Sequence, residues 1–192
     1  MNKQSPKAYT EEHVLALTQQ WVERMVVGLN LCPFASPVVR HNTLRYSVSD
    51  AVETEQLAEF FLAELTLIAE SDEKQIATSL LIMPYAVPDF YEYLALLDLC
   101  EGLLEEAELE GVFQLASFHP GYLFGGVPSD DISHWTNRSP FPMFHLIRED
   151  QISKVLKHYK SPDDIPERNI QLLRELGREG LLDQYPPFAD YT

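Results

Sequence analysis

The chain has 192 residues, 45% of them hydrophobic and 23% charged, and a formal net charge of −16. These values fit one globular domain with a single core, expected to span residues 1–192 with 1–9 flexible. The negative charge disfavours nucleic acid as a partner, because contacts to its phosphates need positive charge. No apolar run reaches the roughly 18 residues of a membrane span, and the N-terminus lacks the apolar core of a signal peptide. We therefore expect a soluble, cytoplasmic protein that does not bind membranes.

The charge is unevenly distributed along the chain. Residues 46–137 contain 18 acidic residues and one basic residue, Lys74, whereas the remainder contains 12 acidic and 13 basic residues. Most of these acids alternate with apolar residues at helical spacing, which is typical of solvated helix faces. Four arginines outside the acidic region are candidates for more specific contacts: Arg40, Arg45, Arg138 and Arg148.

Helical and strand-like segments alternate in the first half of the chain. Thr10 suits the N-cap of a helix that ends near Gly28. Residues 38–48, VVRHNTLRYSV, are rich in β-branched and aromatic side chains and predict a half-buried strand. A second helix is expected to begin near Asp50, within a pattern that resembles a capping box. Residues 77–84, ATSLLIMP, then predict a strand that is buried on both faces.

The second half continues this pattern and adds a long irregular segment. A helix is predicted over 88–108, with Pro88 in its first turn, and a short strand over 112–118. Residues 119–141 are rich in Gly, Pro, Ser and Asp, and no regular element is predicted there. The remaining predicted elements are a strand over 142–147, an amphipathic helix over 149–159 and a last helix that ends near Gly177.

The alternation of strands and helices predicts an α/β fold. We expect a single domain with a small, mostly parallel sheet of three or four strands, flanked by helices and joined by right-handed crossovers. The main alternative is a ferredoxin-like α+β sandwich, because a strand at 142–147 could pair antiparallel with 112–118.

His119 and the loop that follows it form the first candidate site. His119 comes directly after a predicted strand, where ligands bind in open parallel sheets, and it could act there as a general acid or base. The alternative is a histidine whose ring bonds to the following turn. Loops longer than about 12–15 residues are usually functional or disordered. The aromatic content of 119–141 instead predicts either a lid over a ligand, with Tyr122 as a contact, or a loop that its aromatic side chains anchor.

Three consecutive polar residues further along this loop are candidate anion contacts. Asn137, Arg138 and Ser139 offer donors suited to a phosphate or carboxylate, since a guanidinium matches either anion. The alternative is that Arg138 pairs with a nearby acid while Asn137 and Ser139 stabilise a turn. Arg148 lies at a predicted helix start, where the dipole disfavours a cation, and this misfit favours a specific partner for it.

These residues lead to a functional hypothesis. We expect His119 and Arg138 to line one concave site, with Tyr122 or Trp135 in its wall, that binds or transforms a small anionic ligand. A non-enzymatic interaction module, whose acidic helices meet a basic protein partner, is the alternative from another class. No metal-ligand spacing and no phosphate-loop motif occurs in the sequence, so neither a metal nor a cofactor is predicted.

A Cys/His redox or metal site is the second alternative. Cys32 follows the end of the first predicted helix, where the dipole opposes a thiolate. In a parallel sheet it would also lie about 30 Å from His119, too far for a catalytic pair. An antiparallel first strand would remove that objection. Cys100 is expected in a helix facing the core, and His145, within the apolar stretch MFHLI, is expected to be a core histidine.

Four motifs resemble a bacterial family of unknown function, number 1415. They are LNLCPFA at 29–35, ASFHPGYLFGG at 116–126, TNRSPFPMFHLIRE at 136–149 and IPERNIQLLRELG at 165–177. The resemblance covers nearly the whole chain. It implies a single-domain bacterial protein and directs attention to these motifs without supplying a mechanism.

Overall fold

The computed structural model describes residues 9–157 and 161–190, in which helices surround one four-stranded sheet. The strands are β1 (Leu44–Val48), β2 (Thr78–Ile82), β3 (Phe113–Phe118) and β4 (Met143–Arg148). The helices are α1 (Glu11–Trp21), α2 (Ala35–Arg40), α3 (Thr54–Glu70), α4 (Phe90–Glu106), α5 (Glu149–Leu156) and α6 (Ile165–Gln184). Residues 1–8 of the segment predicted to be flexible, and 158–159 of the predicted helix over 149–159, lie outside the described residues.

The first helix begins as its sequence predicts. The Thr10 hydroxyl accepts a hydrogen bond of 3.2 Å from the backbone N–H of His13, which satisfies one of the free donors at the helix start. After Trp21 the helix widens into a π-helical segment, Val22–Val27. Such segments are rare in proteins as a whole, and many of those that occur lie at functional sites. This one packs over the cavity described in the next subsection.

The sheet has the strand order β1-β2-β4-β3. The predicted single α/β domain with a small sheet is confirmed, but the expectation of a mostly parallel sheet is wrong. Only β1 and β2 pair in parallel, because β4 lies between β2 and β3 and runs antiparallel to both. The antiparallel pairing that suggested a ferredoxin-like sandwich is therefore present. The element order β-α-β-α-β-β nevertheless differs from the ferredoxin-like order β-α-β-β-α-β.

Helices cover both faces of the sheet. Every residue of β2 is buried, as its apolar run predicts. Leu81 packs in the core shared with α3 and α4, whereas Leu80 and Ile82 pack on the opposite face with α1 and α6. Side chains directly opposite one another on neighbouring strands lie on the same face. The pairing of Leu80 with His145 and of His145 with Ala116 therefore places the His145 ring on the α1 side.

The acidic residues of α3 and α4 mostly face solvent, as expected. Eight of them are exposed: Glu55, Glu59, Glu70, Glu92, Asp98, Glu101, Glu105 and Glu106. Glu64 is the exception, because its buried carboxylate accepts two hydrogen bonds of 2.9 Å from Arg45 and one of 2.7 Å from Ser47. Arg45 thus has a structural partner.

The strand predicted over 38–48 is wrong in its first part. Residues Ala35–Arg40 form α2, with Pro37 in the first turn, where its missing N–H costs no helical hydrogen bond. The left-handed conformation of Asn42 (φ 55°) then separates the helix from β1. Val38 is buried against the core, so packing outweighs the β propensity of the two valines.

Gly177 interrupts the last helix, where the sequence predicts its end. Its φ of 62° and ψ of −177° are not helical, and the helix resumes beyond it up to Gln184. The continuation was not predicted. Leu181 in the resumed segment and Tyr185 just after it are fully buried, which accounts for the return of the chain to the core.

Candidate functional site

A small cavity lies between the sheet and the π-helical end of α1. Its volume is about 110 Å³. The sheet contributes Leu80, Ala116, Phe118 and His145 to its wall, and Cys32 faces it from the segment before α2. The other lining side chains are apolar: Trp21, Val22, Val26, Ala35, Val38, Leu44 and Ile147. We call this space the inner cavity.

A larger and more open cleft adjoins the inner cavity. Its volume is about 570 Å³, within the usual range of small-molecule sites of roughly 300–1,000 Å³. The two spaces share Val26, Cys32 and Phe118, so these residues stand at their junction. The start of α6 and the loop over 119–141 form most of the remaining walls, which include Thr136, Asn137 and Asn169 and, within the described part of the chain, no charged side chain. We call this space the outer cleft.

His145 is the polar group at the base of the inner cavity. The Thr78 hydroxyl donates its single proton to the carbonyl of Leu146 at 2.7 Å, so His145 Nε2 must donate to Thr78 Oγ1, also at 2.7 Å. Burial lowers the pKa of His145 from 6.5 to about 4, and the ring is neutral at physiological pH. Nδ1 is then a hydrogen-bond acceptor, and no donor within residues 9–157 and 161–190 is bonded to it.

Cys32 provides the other reactive group of the two spaces. Burial raises the pKa of its thiol, while the backbone N–H groups of Phe34 and Ala35 partly oppose that rise. The residue is half-buried and not part of a disulfide. The unpredicted helix α2 separates Cys32 from β1, so the predicted separation of about 30 Å from His119, which assumed that Cys32 is followed directly by the first strand, does not apply. Cys32 is a neutral thiol at pH 7.

His119 lies on the other side of the sheet. Its Nδ1 accepts a hydrogen bond of 3.0 Å from the N–H of Gly121, so Nε2 donates to the carbonyl of Val87, also at 3.0 Å. The ring packs against Phe90 and Tyr93 of α4, and burial lowers its pKa more than the bond to Val87 raises it. Both nitrogens are used by the main chain, which is the arrangement expected of a structural histidine. An acid or base role of His119 stays a prediction.

The structure therefore groups the cysteine with a different histidine from the one that the sequence suggested. Cys32 lines the inner cavity with His145, whereas His119 contacts α4. The sequence offers one usable signal for this: alternation along β4 places His145 on the face opposite to Phe144 and Leu146. Which helix covers that face depends on strand order, which the sequence does not reveal.

Aromatic contacts anchor the long loop over 119–141. Tyr122 packs against Phe90 and its hydroxyl lies 3.2 Å from Ser117 Oγ. His134 accepts a hydrogen bond of 3.0 Å from the N–H of Phe124 and donates one of 2.8 Å to the carbonyl of Pro128. These contacts favour the anchored-loop interpretation over a lid, and a ligand contact by Tyr122 stays a prediction.

Two of the proposed anion contacts bond to the chain itself. Asn137 donates from Nδ2 to the carbonyl of Ser117 at 3.1 Å, and its Oδ1 accepts from Thr136 at 3.0 Å. The buried Ser139 hydroxyl donates to the carbonyl of Phe141 at 2.7 Å. The Ser139 bond corresponds to the turn-stabilising alternative, whereas the Asn137 amide ties the loop to β3, and anion binding by either residue stays a prediction.

Arg148 has specific partners, as its unfavourable position at a helix start predicts. Its guanidinium donates to the carbonyls of Ile68 and Ser71 at the end of α3, the latter at 2.9 Å, and lies within 3.4 Å of the carbonyl of Ile76. A cation is favourable at a helix C-terminus. These bonds account for Arg148 without a ligand, and its predicted anion contact is untested.

Arg138 differs from the other candidates. Its half-buried guanidinium lies 5.5 Å from the ring centre of Trp135, and its buried Nε has no hydrogen-bond partner. The alternative, a pairing of Arg138 with a nearby acid, is not found within the described residues, where the carboxylate of Asp131 binds Arg174 at 3.1 Å instead. Trp135 accompanies Arg138, as expected, whereas His119 contacts other aromatic rings.

Within the described residues, no group of three or more His, Cys, Asp or Glu side chains is arranged to hold a metal ion. In the same part of the chain, no helix combines the length and apolar character needed to cross a membrane.

Comparisons with known proteins place the chain in a family without adding an activity. No curated protein and no solved structure matches it. A family model matches residues 13–183, which confirms the resemblance drawn from the four motifs. The chain belongs to the family described as protein of unknown function, DUF1415.

Proposed function

We propose that the protein binds a small uncharged molecule that has an apolar body and a hydrogen-bond donor. The observation that carries this proposal is the free Nδ1 acceptor of His145 at the base of the inner cavity. His145 is half-buried, and its Nδ1 is not one of the buried, unpartnered polar atoms of the described residues, so a donor that enters the cavity can reach it. A ligand donor, such as a hydroxyl or amide N–H, would satisfy it.

The surroundings of His145 favour an uncharged ligand. Among residues 9–157 and 161–190, no charged side chain lines the inner cavity or the outer cleft, and an unpaired charge would be too costly to bury there. The amides of Asn137 and Asn169 on the cleft wall are already bonded to the chain. Apolar contact therefore supplies the affinity, and His145 fixes the orientation of the ligand.

The volumes limit the size of the ligand. An engineered apolar cavity of about 150 Å³ holds benzene, so the inner cavity of about 110 Å³ suits a single small ring or a short branched group. The outer cleft has room for the remainder of a larger molecule. It gives access to the inner cavity past Cys32 and Phe118, which line both spaces.

Phenol and benzene test this proposal, because they share a shape and differ by one donor. We expect His145→Leu to weaken phenol binding about tenfold, the equivalent of roughly 1.4 kcal/mol, and to leave benzene binding unchanged. Benzoate, which carries a charge, is expected not to bind. Failure of both probes to bind the unaltered protein, or equal changes for both in the variant, would overturn the proposal.

A second experiment tests ligand binding at the same site without altering His145. Cys32 stands at the junction of the two spaces, whereas Cys100 is fully buried in α4 with a pKa raised to about 12 by burial. In a Cys100→Ala background, saturating phenol is expected to slow alkylation of Cys32 by N-ethylmaleimide severalfold. An unchanged rate would show that phenol does not occupy the site beside Cys32.

A small anionic ligand is the second candidate function, and Arg138 is the observation that favours it. The bonds of His119, Asn137, Ser139 and Arg148 to the chain leave Arg138 as the predicted contact with an unbonded side-chain donor. A thermal-shift comparison of phosphate and carboxylate salts in the unaltered protein and in Arg138→Gln tests it. Ligand-induced shifts that persist in the variant would remove Arg138 from the site.

A further inference from the structure

Two arginines approach the same buried tryptophan. Trp135 is 4% exposed and is held edge-on against Phe188, with 4.6 Å between ring centres. The guanidinium carbon of Arg138 lies 5.5 Å from the centre of the indole, and that of Arg178 lies 6.0 Å from it. Arg138 comes from the loop before β4, and Arg178 directly follows the break at Gly177. Two distant segments thus bring positive charges together on one fixed ring.

Neither guanidinium has an acidic partner in the described part of the chain. The ion pairs found there join Arg45 to Glu64, Lys154 to Glu73 and Asp150, and Arg174 to Asp131. Arg174 lies four positions before Arg178, on the other side of the break at Gly177, and it is Arg174 that binds the carboxylate of Asp131. The chain has 30 acidic and 14 basic residues. With so many acids, two arginines that approach the same ring and bond to no described carboxylate are unexpected.

The arrangement has an electrostatic cost. Burial lowers the pKa of Arg138, and the neighbouring charge of Arg178 lowers it further. Contact with the indole compensates in part, since a cation over an aromatic ring is attracted to it. That contact leaves the in-plane N–H groups of a guanidinium free, and the buried Nε of Arg138 has no acceptor.

We propose that Arg138 and Arg178 form a site for a compact dianion, in the form of a phosphate monoester, beside Trp135. Two guanidinium charges balance a dianion, and each planar fork can donate two hydrogen bonds to phosphate oxygens. The contacts of both guanidinium groups with the buried ring of Trp135 restrain the two side chains, which reduces the entropy lost on binding. This inference develops the second candidate function, adds Arg178 to it, and does not depend on the inner cavity.

The first experiment measures thermal unfolding in sodium phosphate and in sodium chloride at equal ionic strength and pH 8, where phosphate is a dianion. We expect phosphate at a hundredfold excess over its Kd to raise the unfolding temperature by about 5 °C or more beyond chloride. Arg178→Gln, at an exposed position, is expected to weaken phosphate binding about tenfold, and so is Arg138→Gln. The control, Arg40→Gln, removes an exposed charge from α2 and is expected to change nothing.

Several outcomes would overturn this inference. Phosphate and chloride could give equal shifts, the Arg178→Gln protein could retain full phosphate affinity, or Arg40→Gln could lose as much affinity as Arg178→Gln. Each would show ionic screening or a site elsewhere. Because Arg178 is exposed, its variant answers the question even if Arg138→Gln does not fold. The cavity experiment uses uncharged probes and His145, so either proposal can fail without the other.

Glycerol phosphate and vesicles containing phosphatidic acid distinguish two sources of the same chemical group. The half-buried guanidinium of Arg138 favours a small soluble ester that can enter between the two side chains. We expect glycerol phosphate to reproduce the shift seen with inorganic phosphate and to lose it in Arg178→Gln. Co-sedimentation of the protein with the vesicles, without binding of glycerol phosphate, would overturn the assignment to a small molecule.

Discussion

The indole Nε1 of Trp21 donates a hydrogen bond of 3.1 Å to the backbone carbonyl of Arg138, across 117 positions of the chain. Trp21 lines the inner cavity, and the side chain of Arg138 lies on Trp135. This single bond therefore joins the two places where we propose ligands. It also holds the end of the long loop against α1, which fixes the backbone from which the Arg138 side chain extends.

Trp21→Phe tests the energetic weight of this bond. The substitution leaves the Arg138 carbonyl without its donor and removes part of a ring that is 2% exposed. We expect the free energy of unfolding, measured in urea, to fall by about 2–3 kcal/mol. The matched control is Trp135→Phe, the same change at the other tryptophan, whose indole N–H makes no hydrogen bond within the described residues. Trp135→Phe also weakens the ring contacts with Arg138 and Arg178, so a loss at Trp21 no larger than the loss at Trp135 would contradict a stabilising contribution from the bond.

Arg148→Lys separates a structural role from a ligand role. The planar guanidinium reaches two carbonyls at the end of α3, and an ammonium of equal charge cannot reproduce that geometry. We expect the variant to lose about 1–2 kcal/mol of unfolding free energy and faster amide exchange to appear in the last turn of α3. Arg40→Lys, at an exposed position, is the control and is expected to stay within about 0.5 kcal/mol. Unchanged stability with impaired anion binding would instead restore Arg148 as a ligand contact.

The elements that the sequence predicts well are those whose local signals agree with their packing. The apolar run of β2, with a proline two positions after its end, has no competing interpretation, and the Thr10 cap leads directly into an amphipathic helix. The strand prediction over 38–48 is wrong in its first part because the valines favour a strand, whereas burial of Val38 beside the inner cavity stabilises a short helix. Propensity is a weak signal where one buried side chain can decide the outcome.

The site is less predictable than the fold, for a geometric reason. Cys32 and His145 are 113 positions apart and meet because β4 inserts between β2 and β3. A sequence reveals that His145 alternates with buried neighbours, but strand order determines which face and which helix it meets. Arg178 is missed for a similar reason. Gly177 predicts the end of a helix, and only the buried Leu181 shows that the chain returns to the core.

Two glycines are expected to respond to alanine with opposite signs. Gly177 combines a φ of 62° with a ψ of −177°, a region that is essentially restricted to glycine. We expect Gly177→Ala to lower the free energy of unfolding by about 1–3 kcal/mol. Gly102 lies inside α4, and an added Cβ would meet no atom within 4 Å. Gly102→Ala is expected to raise stability by about 0.5–1 kcal/mol in the same urea titration. A neutral result at Gly177 would contradict the helix break.

The neutral state of His145 predicts how stability depends on pH. Its pKa of about 4 in the folded protein lies below the ordinary value of 6.5, so the unfolded chain binds the proton at higher pH. Stability that depends on the neutral ring is therefore fully present above about pH 6.5 and is lost as the pH falls towards 4. His145→Gln keeps a donor for Thr78 and does not titrate, and burial of His119 acts in both proteins and cancels in the comparison. Between pH 7 and 4.5 we expect the unaltered protein to lose about 2 kcal/mol more unfolding free energy than the variant. Parallel pH profiles would mean that His145 titrates normally and that its ring is reached by water. A ligand whose donor is bonded to Nδ1 would be expected to move the loss of stability to still lower pH, because protonation then has to break that bond.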